Sequence, residues 1–75
     1  MNKIPVDVEV EVRRDGEQIP KAVIWSDGRR FAISQVVYHG MYSSNEYEGI
    51  RYTVLIGSAE KYLYQLDARW YVDSG

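Results

Sequence analysis

The chain has 75 residues, nine Lys or Arg against eleven Asp or Glu, a formal charge of −2 and an isoelectric point of about 5.2. That length holds one small domain, and the absence of cysteine excludes both a disulfide framework and a thiolate metal site. The acidic balance argues against a dedicated duplex nucleic-acid binder, which draws its affinity from a basic surplus, and no window approaches the roughly 18 apolar residues of a membrane span.

Met1–Pro5 holds no apolar stretch of signal-peptide length, so a cytoplasmic protein without a membrane partner is expected. Val6–Arg13 then alternates with period two: Val6, Val8, Val10 and Val12 face one way, and Asp7, Glu9, Glu11 and Arg13 the other. This predicts a first strand with an acidic, solvated face that discourages edge-to-edge pairing. Asp15-Gly16 closes a hairpin, because Asp-Gly accepts positive φ at low cost. As a two-residue loop it puts Val12 opposite Ile19, Val8 opposite Val23, Val6 near Trp25 and Lys21 opposite Val10. The second strand is Ile19–Trp25, with Pro20 confined to a strand start or an edge.

Asp27-Gly28 closes the second hairpin. A three-residue loop, Ser26-Asp27-Gly28 with Gly28 left-handed, sets Val23 opposite Phe31 and keeps Val23, Trp25, Phe31 and Ile33 on the valine face. A two-residue loop would align Ile24 with Phe31 and turn Trp25 away, so the longer loop is preferred. The third strand, Arg30–Val37, loses its alternation at Ser34-Gln35-Val36-Val37. That break predicts a bulge, a bend or burial on both sides, and a bend there lets a small barrel close.

His39–Gly49 is non-periodic, polar and bracketed by glycines, and reads as a long loop. Ile50–Ile56 resumes the alternation, with Ile50, Tyr52, Val54 and Ile56 on one face. Gly57–Glu60 turns the chain into Lys61–Leu66. A Ser58 cap would allow a helix over 58–66, but two tyrosines at i, i+2 and closely spaced turn signals favour strand. Asp67-Ala68 leads to Arg69–Val72, and Asp73–Gly75 is expected to fray. These elements predict one all-β domain over 1–75, ordered from about 5 to 72. About six antiparallel strands form a meander that closes into an SH3-like or similar small barrel, which removes exposed sheet edges.

Catalytic chemistry has little to stand on. His39 is the only histidine, no G-x-S-x-G elbow or phosphate-cradling glycine loop occurs, and Asp7, Glu9 and Glu11 lie on a flat strand rather than in a curved Ca²⁺ loop. Glu46 and Glu48 are ordinary loop carboxylates. No catalytic, metal or cofactor-binding residue is assigned, no cofactor is implied, and the chain is expected not to be an enzyme.

The remaining constellation is aromatic and basic: Trp25, Arg29, Arg30 and Phe31 about the second turn, then Arg51-Tyr52 and Arg69-Trp70-Tyr71. Trp25, Phe31, Tyr52 and Trp70 fit the core. Tyr38, Tyr42 and Tyr47 either cover an open barrel end or form a recognition surface. With Arg29, Arg30, Arg51 and Arg69 they make a candidate interaction surface, since Tyr and Arg dominate protein hot spots. The expectation is a non-enzymatic module with a protein partner. The alternative is single-stranded nucleic-acid binding through Trp25, Arg29, Arg30, Arg51 and Arg69, by base stacking and phosphate contact.

Pro20, Val23-x-Trp25-x-x-Gly28-Arg29-x-Phe31-x-Ile33-x-x-Val36, Arg51-Tyr52-x-Val54 and Arg69-Trp70-Tyr71-Val72 together span most of the chain. In this pattern the sequence resembles a family of small uncharacterised all-β bacterial domains, some of them encoded beside translesion DNA polymerase-like genes. The resemblance implies a small β fold and a link to DNA repair, and carries over no catalytic residue. The chain departs from the family in a longer Asp27-Gly28 turn, a Tyr-rich stretch after His39 and a more acidic balance.

Overall fold

Two Asp-Gly turns organise the first part of the chain, and both adopt the same geometry. The computed structural model describes residues 3–45 and 48–73. Its strands are β1 (Lys3–Val12), β2 (Gln18–Ile24), β3 (Arg30–Ala32), β4 (Gln35–Ser43), β5 (Glu48–Ile56), β6 (Ala59–Leu66) and β7 (Arg69–Asp73). At the first turn the Gly16 N–H donates to Arg13 O at 2.9 Å and the Arg13 N–H to Glu17 O at 2.8 Å; at the second, Gly28 donates to Trp25 O and Trp25 to Arg29 O, both at 2.9 Å. Gly16 and Gly28 have φ of +88° and +91°, a backbone that L side chains rarely adopt. Asp15 and Asp27 each accept the N–H two residues on, at 2.9 and 3.0 Å.

The three-residue loop expected at Ser26-Asp27-Gly28 therefore forms, with Val23 opposite Phe31. The two-residue loop expected at Asp15-Gly16 does not. The longer loop shifts the register by one, to Glu11 opposite Ile19 and Val12 opposite Gln18. The pairing jumps from Val10–Pro20 to Glu9–Ala22, so Lys21 is the extra residue of a bulge, which restores Val8 opposite Val23. The two-residue loop would set Lys21 opposite Val10 on the core face; the longer loop turns it outward, and the bulge then returns Val23 to the core face opposite Val8. Bulged, it is exposed, with Nζ 3.4 Å from Glu11 Oε1.

The strands form one antiparallel order, β3-β2-β1-β7-β6-β5-β4. β1 is handed from one neighbour to the other, Lys3–Val6 pairing with β7 and Asp7–Val12 with β2. The third predicted strand divides into β3 and β4, giving seven strands rather than six, in a curled half-barrel. The division falls where the alternation breaks. The Ile33 N–H bonds Lys21 O at 2.8 Å, and the next N–H, Ser34, bonds Leu55 O at 2.9 Å. Consecutive residues thus tie β2 to β5 across the seam. Beyond it Val37 is a bulge, the pairing passing from Val36–Val54 to Tyr38–Thr53.

The loop expected over His39–Gly49 is a second correction. β4 runs on to Ser43 and β5 begins at Glu48, with His39 opposite Tyr52, Gly40 opposite Arg51 and Met41 opposite Ile50. The alternation is present but disguised, because the core side carries His39 and Met41 while the outer side carries Tyr38, Gly40 and Tyr42. In the stretch that a Ser58 cap would have made helical, Ala59–Leu66 is strand.

Val23, Tyr52, Val54, Leu63 and Trp70 form the buried core, flanked by Val6, Val8, Val10, Ile33, Val36, Ile50, Ile56 and Val72. Tyr52 is its aromatic centre: His39 stacks on one side at 5.4 Å between ring centroids, and Trp70 lies on the other, also at 5.4 Å. The Tyr52 hydroxyl donates to Gln65 Oε1 at 3.1 Å, and Gln65 Nε2 donates to Gln18 Oε1 at 3.1 Å, so the hydroxyl that Tyr52 carries inward is satisfied.

Two substitutions separate turn strain from core loss in urea unfolding. Gly28→Ala has open space for its Cβ and costs about 1–2 kcal/mol through φ alone. Leu63→Ala, at a side chain 1% exposed, costs about 2–5 kcal/mol.

Candidate functional site

Curling the sheet gives it a concave face, filled by the core, and a convex face. Strand pairing sets Arg51 opposite Tyr64 and Tyr64 opposite Tyr71, with Thr53–Tyr62 and Tyr42–Gly49 beside them. All these residues alternate with core positions and so lie on the convex side. The result is an aromatic surface across β4 to β7, where the outer face of a small sheet is ordinarily charged.

Arg51 occupies its middle. Its guanidinium lies 4.5 Å from the Tyr42 ring centroid and 4.4 Å from that of Tyr62. Each such contact contributes about 0.5–1 kcal/mol at an exposed site, and the planar group is held ready with donors at its edges. The ring of Tyr64 meets that of Tyr42 edge-on at 5.6 Å, and Lys3 Nζ lies 4.3 Å over the Tyr64 ring. Tyr64 is only 2% exposed although it faces outward. Its hydroxyl donates to Asp73 Oδ2 at 3.0 Å, and Lys3 Nζ lies 3.1 Å from Asp73 Oδ1. Burial first, then the Asp73 carboxylate, push the Tyr64 hydroxyl up to about 12. Tyr64 is thus the floor of a small outer cluster, and Arg51, Tyr42 and Tyr62 are its upper layer.

The predicted surface residues divide. Tyr42 and Arg51 are in direct contact. Tyr38 is on the same face, exposed, with its ring folded over Gly40. Arg69, opposite Leu66 at the start of β7, is exposed at the rim of that face. Arg29 and Arg30 do not join them. Arg29 Nε bonds Asp27 Oδ2 at 2.7 Å and its guanidinium lies 5.7 Å from the Phe31 ring. Arg30 reaches across β2 to Glu9, with bonds of 3.0 and 2.8 Å, and that hydrogen-bonded pairing lowers the Glu9 pKa. Tyr47 lies outside the described residues.

Sequence reasoning missed Tyr62, Tyr64, Lys3 and Asp73, and singled out Tyr71 only as an aromatic neighbour of Arg69. A signal was available: Tyr62 and Tyr64 flank the core residue Leu63, and Tyr71 follows the core residue Trp70, so aromatics occupy off-core positions on neighbouring strands. Trp25 and Phe31, assigned to the core, are instead half-buried. With Val23, Ile56 and Val72 they line an open, mainly apolar cleft of about 480 Å³ at one end of the half-barrel.

Among the described residues no three His, Asp or Glu side chains are grouped to hold a metal ion, and no helix is long and apolar enough to cross a membrane. Compared with protein-family models, curated proteins and solved structures, the chain finds no match in any of the three.

The Tyr64 hydroxyl gives a pH signature. An unfolded Tyr ionises near pH 10, so above that pH the unfolded chain releases a proton that folded Tyr64 keeps until about 12. Stability contributed by this group is full below pH 10 and declines from there through about 12. Ultraviolet titration should show a last tyrosine step near 12 that Tyr64→Phe removes, and that variant should lose about 1–3 kcal/mol at neutral pH.

Proposed function

We propose that the chain is a non-enzymatic module, working in the cytoplasm, that binds another protein through its convex tyrosine–arginine face. The observation that supports it most is the placement of Arg51 between the rings of Tyr42 and Tyr62. A guanidinium held in this way has already lost much of its rotamer freedom, so less entropy opposes its use in binding. The tyrosines around it offer rigid apolar area with a polar rim, the composition of a hot spot. Tyr38, Tyr62 and Leu66, at 67%, 43% and 39% exposure, extend the apolar area to both sides. The complementary partner is a segment presenting a carboxylate or backbone carbonyls to Arg51 and apolar side chains to the tyrosines.

Single-strand nucleic-acid binding draws less support. Of its five residues, Arg29 and Arg30 are engaged by Asp27 and Glu9, and Trp25 lines the cleft at the barrel end. Only Arg51 and Arg69 lie on the β4 to β7 part of the convex face.

Immobilised wild-type chain should retain a protein partner from cell extract that a Tyr62→Ser, Arg51→Ala variant loses by about tenfold or more, the loss typical of hot-spot truncation. Recovery undiminished by the double substitution removes this face from consideration. Quenching of Trp fluorescence by an oligonucleotide at low salt, reversed by added salt, would favour the nucleic-acid alternative.

A further inference from the structure

At the end of the sheet, β4 pairs with β5 alone. A strand paired on one side turns every second N–H and C=O outward, and proteins commonly blunt such edges with short strands, charges or proline. The opposite terminal strand follows that rule: β3 has three residues, and the ion pairs Arg29–Asp27 and Arg30–Glu9 stand beside it. β4 does not. It has nine residues, Gln35-Val-Val-Tyr-His-Gly-Met-Tyr-Ser43, with neither proline nor a carboxylate, Lys or Arg, in a chain that is 27% charged. Val37, Tyr38 and Met41 on this strand are 49%, 67% and 81% exposed. Its one protective feature is the Val37 bulge, which leaves Tyr38–Ser43 in regular pairing.

We infer that this edge is a self-association surface, on which β4 of one copy pairs antiparallel with β4 of a second copy. The strand is self-complementary. A two-fold axis through Gly40, perpendicular to the sheet, lies in the middle of the regular segment Tyr38–Tyr42. It sets Gly40 against its own counterpart, so no side chain of residue 40 stands between the two backbones, although the Tyr38 ring covers Gly40 on the convex side. On the convex side it places Tyr38 opposite Tyr42 of the second copy, an aromatic cross-strand pair. On the concave side it places Met41 opposite His39, so the most exposed apolar side chain of the strand gains a ring to cover it. No like charges meet along the pairing, which a charged extended segment of another protein could not match as well. The closed symmetric pairing also uses up the edge rather than propagating it.

Sedimentation equilibrium from micromolar to millimolar concentration tests this directly. The wild-type mass should rise from 8.7 kDa toward twice that value. Met41→Lys, at a side chain too exposed to affect folding, should raise the dissociation constant by about tenfold or more by setting like charges across the axis. Mixed-isotope NOESY should show contacts between Tyr38 of one copy and Tyr42 of the other. A chain monomeric at every concentration, a dimer indifferent to Met41→Lys, or an edge that accepts only an extended segment of another protein would each overturn the inference. Because Met41 faces the concave side, its substitution leaves the Arg51 surface intact, and failure of one reading is distinguishable from failure of the other.

Discussion

The strands at the two ends of this sheet are consecutive in the chain, and that connectivity forces the rest. Seven strands spaced about 4.8 Å apart would place β3 and β4 about 29 Å from each other if the sheet were flat. The link from Ala32 to Gln35 reaches about 11 Å at full extension. The sheet must therefore curl until its ends meet. The backbone bonds of Ile33 to Lys21 and Ser34 to Leu55 hold the meeting point. The inward side chains of the central strands become core because of that curl, and the outward ones on β4 to β7 become part of a convex surface.

Curling also explains how so small a domain uses so many aromatic residues. A chain of this length buries a modest fraction of its surface, and 13% of its residues are aromatic. The molecule divides them between two layers. His39, Tyr52 and Trp70 stack along the concave side, and Tyr42, Tyr62 and Tyr64 gather about Arg51 on the convex side. The inner layer is satisfied within the fold, down to the bonds of Tyr52 and Gln65. The outer layer leaves Tyr38, Tyr62 and Leu66 exposed.

Most of the fold was legible in the residues, and the failures have physical causes. The valine alternation of β1, the Gly28 loop and the break before Val37 each carried a local signal strong enough to read. The first turn misled because a two-residue loop and a three-residue loop share Asp-Gly, and only the cost of turning Lys21 inward decides between them. β4 was hidden because its core side uses His39 and Met41, which no alternation rule ranks beside valine. The convex cluster was half legible. Tyr42 and Arg51 stood out as types, but their meeting with Tyr62 and Tyr64 depends on long-range register, which a local pattern does not encode. Arg29 and Arg30 drew attention by composition, and their partners Asp27 and Glu9 are what assign them to the turn and the sheet surface.

The seam at Ile33-Ser34 is the point at which this account is most exposed, and amide-resolved NOESY of the folded chain measures it. The curled sheet predicts that the Ile33 amide contacts Lys21–Ala22 while the adjacent Ser34 amide contacts Leu55–Ile56, within the same molecule. Contacts to β2 without contacts to β5, or the reverse, would mean that the two ends of the sheet do not meet. The division into a concave core and a convex aromatic face would then be contradicted.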